Sequence, residues 1–395
     1  MSVEYKDSKK LYNLPDEVKF CKKCVMSNQR PRIYFDKEGV CNACRHAETK
    51  DSNKVDWEDR EKQLAETLNR HRKNDGSYDV LVPSSGGKDS MYVAHMLKYK
   101  YNMNPLTVTW APNAYTDIGF QNFQAQMKAG FDNILISPSM ITNRKLTKIS
   151  FEQKGDPFVP FVMGQVFSPM RVAIMHRIPL IFYGENGDVE YGGSAEDVPF
   201  YKLEDQIVDD YILDFYPEEI KKYGISENEL YNYSPPNKEV AHELDIECHF
   251  WSYYQKWMPQ SNYYYCVENT DFMPNPKGRS DSTYSTYASL DDKIDPFHHY
   301  LSLMKFGYAR ATGDAAHEIR EGLITRDEGV SLVRRFDAEF PSSEAYKYFL
   351  EYCDISEQYF WDVMDSWRSR HLWIKENGHW KLKYQVSNIG ESNEN

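Results

Sequence analysis

Short apolar runs alternate with longer amphipathic stretches between Tyr78 and Gly184 of this 395-residue chain. The runs predict strands at 78–83, 105–110, 133–137 and 179–184. The stretches between them predict helices at 88–101, 117–129, 139–151 and 159–176. Such alternation is typical of a parallel sheet covered by helices on both faces. The predicted fold class is therefore α/β, and ligands of such sheets bind at the carboxyl ends of the strands.

A glycine-rich loop, SSGGKDS at residues 84–90, follows the first predicted strand and leads into a predicted helix. Backbone N–H groups of a glycine turn and the positive end of a helix dipole both suit a phosphate group. The Walker A pattern is not met, because Asp89 follows Lys88 and no glycine precedes the lysine at the required distance. The Rossmann pattern G-x-G-x-x-G is also absent. An ordinary structural turn is the alternative.

Four cysteines near the N-terminus form the pattern C-x2-C-x16-C-x2-C, with members Cys21, Cys24, Cys41 and Cys44. Two such knuckles can present four thiolates to one tetrahedral ion, which predicts structural Zn²⁺ in a zinc ribbon. A redox pair or an iron–sulfur cluster is the alternative. The intervening segment predicts a short strand, a turn at 36–39 and a return strand.

The predicted domains are a zinc ribbon at 1–50, a helical linker at 51–75, an α/β domain at 76–200 and a mainly helical domain at 201–395. The formal net charge of −13 makes nucleic acid a poor partner for the chain as a whole. No run of about 18 apolar residues is present, and the N-terminus is too polar for a signal peptide. We therefore expect a cytoplasmic protein with no membrane partner.

The loop string S-G-G-x-D-S resembles the PP-loop of the ATP pyrophosphatase superfamily, and it follows the first strand as it does there. Over residues 19 to about 333, the chain resembles one PP-loop family, the N-acetyl sugar amidotransferases of bacterial surface-polysaccharide and nonulosonic acid synthesis. The segments that carry this resemblance are FCKKCVMSNQRPRIYFDKEGVCNACRH (20–46), SSGGKDS (84–90), YGENGDVEYGG (183–193) and KFGYARATGDAAHEIREGLITRDEG (305–329).

The resemblance implies ATP, Mg²⁺ and Zn²⁺ as cofactors and an N-acetylated sugar, nucleotide-linked or a nonulosonic acid, as acceptor. The amide oxygen would attack the α-phosphate of ATP and release pyrophosphate, and ammonia would then displace AMP to leave an acetamidino group. Neither Cys248 nor Cys266 stands in a glutaminase-like context. The resemblance therefore implies a separate glutaminase, with a cyclase-like companion. The ribbon could dock that partner or only stabilise the N-terminal region.

The candidate site residues fall into two groups. Cofactor-binding candidates are Ser84, Ser85, Gly86, Gly87, Lys88, Asp89, Ser90, Trp110, Gly184, Asn186 and Glu190. Catalytic candidates are Lys88, Asp89, Glu185, Lys305 and Arg310. Asp89 is expected to hold Mg²⁺ beside the phosphates, because a carboxylate there is otherwise costly. Lys305 and Arg310 are expected to neutralise the α-phosphate.

The roles of the other candidates are open. Glu185 and Glu190 could hold Mg²⁺ or orient ammonia, and Asn186 could contact the ribose or the amide, although an acidic solvated turn would read similarly. Trp110 lies where adenine would bind but could only pack. Two other functions compete with amidotransfer. A tRNA thiolase would need a basic face and catalytic cysteines, yet no cysteine lies between residues 45 and 247. A non-catalytic adaptor would not need an intact loop.

Overall fold

A twisted mixed sheet forms the centre of the protein. The structure is a computed structural model that describes residues 3–52, 54–194, 197–202 and 217–388. The sheet has six strands in the order β3-β2-β1-β4-β6-β5. The strands are β1 (Val80–Pro83), β2 (Pro105–Trp110), β3 (Asp132–Ile136), β4 (Leu180–Tyr183), β5 (Phe200–Lys202) and β6 (Glu247–Phe250). All run parallel except β5, which pairs antiparallel with β6. The predicted α/β class is confirmed.

Helices cover both faces of this sheet and build most of the C-terminal half. They are α1 (Ser8–Leu11), α2 (Asn42–Asp51), α3 (Trp57–His71), α4 (Lys88–His95), α5 (Asp117–Lys128), α6 (Met140–Lys154), α7 (Val159–His176), α8 (Gly187–Tyr191), α9 (Pro217–Lys222), α10 (Lys238–Glu243), α11 (Trp251–Tyr254), α12 (Pro259–Asn269), α13 (Asp295–Phe306), α14 (Arg310–Arg320), α15 (Arg326–Phe336), α16 (Ser343–Cys353) and α17 (Glu357–Ser366). A π-helical turn, Met96–Lys100, extends α4, and 3-10 turns span Glu227–Tyr233 and Val386–Asn388. Among the described residues, no single helix is long and apolar enough to cross a membrane, and α6 and α7 pass that test only as a pair bent by 119°.

The strands alternate their side chains between two buried layers. Leu81 of β1 packs into a core with α6 and α7, whereas Val80 and Val82 pack against α3 and α4 on the opposite face. This period-2 alternation with both faces apolar is what a fully covered parallel sheet requires. The four predicted strands and the helices between them are all present, with ends that differ by a few residues.

Strand β6 was not predicted, and it extends the sheet well beyond residue 200. Its sequence, ECHF, is short and half polar. His249 is only 1% exposed, and its ring contacts the hydroxyl of Tyr254 and the carboxylate of Glu247. These polar groups satisfy one another, so they can be buried inside the sheet. The strand can therefore form without the apolar pattern that marks the other strands.

The rest of the C-terminal half is mainly helical, as predicted. Helices α13, α16 and α17 bury an aromatic core that includes Phe297, Phe349 and Phe360. A two-stranded hairpin, β7 (Trp373–Glu376) and β8 (His379–Leu382), adds Leu382 to the edge of this core.

The N-terminal cysteine segment, residues 20–51, is more irregular than the sequence predicted. Isolated bridges join Phe20 to Ser27 and Phe35 to Cys41 in place of the expected strands. Gly39, with a φ of +79°, supplies the turn between Phe35 and Cys41. Helix α2 begins directly after Cys41, and the segment packs against α14 and α15.

Candidate functional site

Two cavities meet at the glycine-rich loop. The sheet cavity, about 380 Å³, lies between the carboxyl ends of β1, β2 and β4 and helix α7. The helical cavity, about 630 Å³, lies between the loop, the 287–291 segment and helices α13 and α14. The residues that line both cavities are Ser85, Gly87, Asp89, Gln165 and Glu185. The two cavities therefore share part of their lining at the loop.

The backbone of the loop depends on its glycines. Gly86 adopts φ +89°, and a Cβ atom there would lie 2.6 Å from the backbone nitrogen of Phe123. Gly87 is the N-cap of α4, so the N–H groups of the first helical turn have no acceptor within the helix. Ser84 and Ser90 join across the loop through their hydroxyl groups at 2.9 Å. The loop thus presents free donors at a helix N-terminus, an arrangement suited to an anion.

Lys88 and Asp89 form an ion pair at this helix start. The Lys88 side chain is largely buried, and its ammonium lies 4.8 Å from the ring centre of Tyr287. The other oxygen of Asp89, Oδ1, accepts a hydrogen bond from Nδ2 of Asn262 at 2.9 Å. Ser85 of the loop and Asp291 line the helical cavity together. The C-terminal half therefore holds the loop from the side opposite the sheet.

Glu185 lies at the end of β4, facing both cavities. Burial, together with the nearby Asp89 carboxylate, raises the pKa of Glu185 to about 7. The hydroxyl of Tyr191 donates to Oε1 of Glu185 at 3.3 Å. A carboxyl group that changes charge near neutral pH can accept or donate a proton during a reaction.

Replacing Glu185 with glutamine is expected to make stability less sensitive to pH. The unfolded carboxyl ionises near 4.5 and the folded one near 7. The native state therefore holds the extra proton between these values, and its stability falls as pH rises from about 4.5 to about 7. Glutamine cannot ionise, so Glu185→Gln should gain about 3 kcal/mol over the wild type between pH 4.5 and pH 8 in urea unfolding. Glu344→Gln, which replaces a carboxylate that is 77% exposed, should show the same dependence of unfolding free energy on pH as the wild type. A Glu185→Gln variant with that same pH dependence would contradict the raised pKa.

The sheet cavity has apolar walls, with Val108, Val166 and Pro169 beside Trp110 and Gly184. Trp110 is 3% exposed, and its indole N–H has no hydrogen-bond partner among the described residues. The indole packs closely against Gly164 of α7, where a Cβ atom would be 2.0 Å from the ring. A narrow apolar slot with a few polar edges suits a flat heterocyclic ring.

Replacing Gly164 with alanine should therefore distort this cavity. The new methyl group must displace Trp110, and such overpacking costs about 2 kcal/mol. We expect a lower melting temperature in thermal unfolding. Gly313→Ala is the matched control, because Gly313 is also helical and has no atom within 4 Å of the added carbon. Equal melting temperatures for the two variants would contradict the close approach of Trp110.

The helical cavity is lined by charged groups that are mostly paired. Nε of Arg310 lies 3.0 Å from Asp314, and Nδ1 of His298 lies 2.8 Å from Asp156. Burial raises the pKa of Glu318 to about 7, although the hydroxyl of Tyr284 donates to its carboxylate at 2.8 Å. The predicted residue Arg310 thus lies in this cavity, together with Lys88, Asp89 and Glu185.

The structure does not bring Lys305 to either cavity. Lys305 lies about two turns beyond His298 on α13, is 4% exposed and donates from Nζ to the Lys154 carbonyl at 3.3 Å. Burial lowers the pKa of Lys305 to about 8. Lys154 is the last residue of α6, so the ammonium compensates the negative end of that helix.

Glu190 and Asn186 are also engaged elsewhere. Lys50 of α2 donates to both carboxylate oxygens of Glu190, at 2.9 and 2.7 Å. Burial opposes the charge of Glu190, but His46 and Lys50 together lower its pKa to about 2. Asn186 is the N-cap of α8, and its backbone N–H donates to Ser252. In the acidic segment after β4, Glu185 therefore lines the cavities, whereas Glu190 contacts the cysteine segment.

The four N-terminal cysteines converge on one point. All are buried, and their four sulfur atoms lie within 4.8 Å of one another. The Cys21–Cys44 and Cys24–Cys41 sulfur pairs are each 3.8 Å apart. Zinc–sulfur bonds of about 2.3 Å in a tetrahedron require sulfur–sulfur separations near 3.8 Å. Backbone N–H groups also donate to the sulfur atoms of Cys21 and Cys24, which stabilises thiolates. The predicted cluster is confirmed as a site that can hold a metal ion.

Comparison with known protein families supports a role in polysaccharide synthesis. Residues 281–387 match the family model described as LPS biosynthesis protein WbpG-like, C-terminal domain. The matched segment contains α13 and α14, which supply one wall of the helical cavity. No curated protein matches the chain.

Proposed function

We propose that this protein is an ATP-dependent amidotransferase that converts an N-acetyl group of a bacterial sugar to an acetamidino group during lipopolysaccharide synthesis. The observation that carries the proposal is the position of the SGGKDS loop, at the carboxyl end of β1, where the two cavities meet. A nucleotide with its base in the sheet cavity would lay its phosphates along the loop. Its α-phosphate would then face a sugar in the helical cavity.

The proposed reaction has two steps. The amide oxygen of the N-acetyl group bonds to the α-phosphorus, and the bond to the β-phosphate oxygen breaks to release pyrophosphate. Ammonia then adds to the imidate carbon, and the C–O bond breaks so that AMP leaves with the original oxygen. Adenylation is required because an amide is a poor electrophile and oxide a poor leaving group.

The side chains of the site suit these steps. Lys88 and the N–H groups at the start of α4 would bind the departing pyrophosphate. Asp89 is the residue that would hold Mg²⁺, which supplies further positive charge to the phosphates. Arg310 would stabilise charge on the α-phosphate. Glu185, with its pKa about 7, would accept the proton that ammonia loses on addition.

The cysteine cluster would hold Zn²⁺ with Cys21, Cys24, Cys41 and Cys44 as its ligands. Ammonia would come from a separate glutaminase, with a cyclase-like companion. Thiolation of tRNA is less well supported, because it requires an accessible nucleophilic cysteine. Cys266, the cysteine beside the loop, is fully buried, donates its thiol to the Lys88 carbonyl at 3.1 Å and has a pKa raised by burial.

The test is a mass-spectrometric assay of the purified protein with Mg-ATP, ammonium and a panel of N-acetylated bacterial sugars. Ammonium salt replaces the glutaminase, so the assay does not depend on the partner. We expect AMP, pyrophosphate and a sugar product in which one oxygen is replaced by NH, in equal amounts. ADP as the nucleotide product, or sulfur transfer to tRNA in a parallel assay, would contradict the proposal.

A further inference from the structure

The cysteine segment forms part of the wall of the helical cavity. Met26 and Arg30, which lie between the two cysteine knuckles, both line this cavity. The segment is attached to the acidic stretch after β4. Arg30 donates from Nε to the Gly192 carbonyl at 2.8 Å, and Asn42 donates to the Gly193 carbonyl at 2.7 Å. The cysteine cluster therefore positions a surface that a ligand in the cavity would touch.

Arg30 is a cation whose two hydrogen-bond partners among the described residues are both uncharged. Besides Gly192, it donates from Nη1 to the hydroxyl of Tyr308 at 3.5 Å. Among the described residues, no carboxylate lies within ion-pair distance of the Arg30 guanidinium. By contrast, Lys88 contacts Asp89, and Arg310, His298 and His299 each face an aspartate.

Arg320, the remaining arginine of the cavity, lies near the Glu190 carboxylate and the cysteine cluster. It donates to the Glu190 carbonyl at 3.1 Å, while its Nη1 has no hydrogen-bond partner among the described residues. Arg30 is partly buried and lines the cavity without a carboxylate at ion-pair distance, so its guanidinium is available to an anionic ligand.

We propose that Arg30 is a specificity residue that binds an anionic group of the acceptor sugar. The shared chemistry is a carboxylate or a phosphate, either of which matches the planar fork of a guanidinium. Elsewhere the cavity carries Glu185, Asp291 and Glu318, which repel an anion when ionised. The anionic group would thus be drawn to the Arg30 end, which fixes the orientation of the sugar. This inference rests on the proposed function, because that function places a sugar in this cavity.

Binding of three probe sugars to the full-length, zinc-loaded protein tests the proposal by calorimetry. The probes are N-acetylglucosamine, its 1-phosphate and the corresponding N-acetylglucosaminuronic acid. The wild type should bind at least one anionic probe about tenfold more tightly than the neutral sugar. Arg30→Ala should abolish that preference, and Arg30→Lys should keep part of it. The anionic probe whose tighter binding depends on Arg30 tells whether the group is a phosphate or a carboxylate.

Two further variants separate recognition from damage to the fold. Arg30→Gln removes the charge but keeps an amide donor toward the Gly192 carbonyl, so it should retain the wild-type metal content. Arg32→Gln is the matched control in the same segment, because Arg32 is 48% exposed, pairs with Asp188 and does not line the cavity. It should keep both the metal and the preference for the anionic probe.

Equal wild-type affinity for the three probes, or no binding of any, would overturn the proposal. So would an Arg30→Gln variant that keeps the preference. These outcomes are distinct from failure of the proposed function. Arg30-dependent binding without AMP formation would contradict only the reaction. Amidotransfer to a neutral sugar, unaffected by Arg30→Gln, would contradict only the role of Arg30.

Discussion

Replacing Asp89 with asparagine is expected to slow the formation of AMP and pyrophosphate by about three orders of magnitude. Asp89 is the one carboxylate of the SSGGKDS loop, and it lies where the two cavities meet. Without its charge, the loop loses the group that would hold Mg²⁺, and the phosphates lose the compensation that bond cleavage requires. Single-turnover measurement at saturating ATP and ammonium isolates this chemical step.

The asparagine variant should remain folded. Its side-chain oxygen can still accept from Asn262, which is 2.9 Å from Oδ1 in the wild type. The melting temperature should therefore stay close to the wild-type value. Asp117→Asn is the matched control, since Asp117 is also an acidic residue in the first turn of a helix, is exposed and lines neither cavity. An Asp89→Asn variant with nearly full activity would exclude the metal-holding role.

The central fold could be predicted from the sequence because its signals are local. Val80, Leu81 and Val82 form a continuous apolar run, and the helices that follow each strand have clear starts. Strand β6 carried no such signal. Its place in the sheet is decided by pairing with β4, which lies more than 60 residues earlier in the chain. The polar residues Glu247 and His249 are tolerated there because they contact each other, because Tyr254 contacts His249, and because the distant Arg70 donates to Glu247.

Prediction of the candidate site from the sequence has the same limit, because local patterns reveal only part of it. Ser85, Asp89 and Glu185 come together because each follows the carboxyl end of a strand, which a sequence pattern can reveal. Gln165 and Arg30 reach the cavities through tertiary packing, and neither was predicted to line them, although Arg30 lies in the 20–46 segment that carries the resemblance. Lys305 shows the converse case. Its segment carries a family resemblance, yet the helix turns its ammonium toward the end of α6.

Loss of the metal is expected to have the second large effect, and Cys44→Ala is the variant that tests it. A three-thiolate site binds zinc much more weakly, and zinc binding in small cysteine domains contributes on the order of 10 kcal/mol of folding free energy. The cysteine segment has little regular structure of its own beyond two isolated bridges and α2. We therefore expect metal content near zero and loss of order in this segment, measured by metal analysis and limited proteolysis.

The effect on ligand binding should be unequal between the two cavities. No residue of the cysteine segment lines the sheet cavity, as far as the described residues show, whereas Met26 and Arg30 line the helical cavity. Cys44→Ala should therefore weaken binding of the anionic probe sugar by about tenfold or more, as truncation of a charged contact does, while ATP affinity changes little. Cys353→Ala is the control, because Cys353 is a buried thiol in the helical core outside the cluster. A parallel loss of both affinities would show that the ribbon only stabilises the fold, because a general loosening of the protein has no reason to spare the nucleotide.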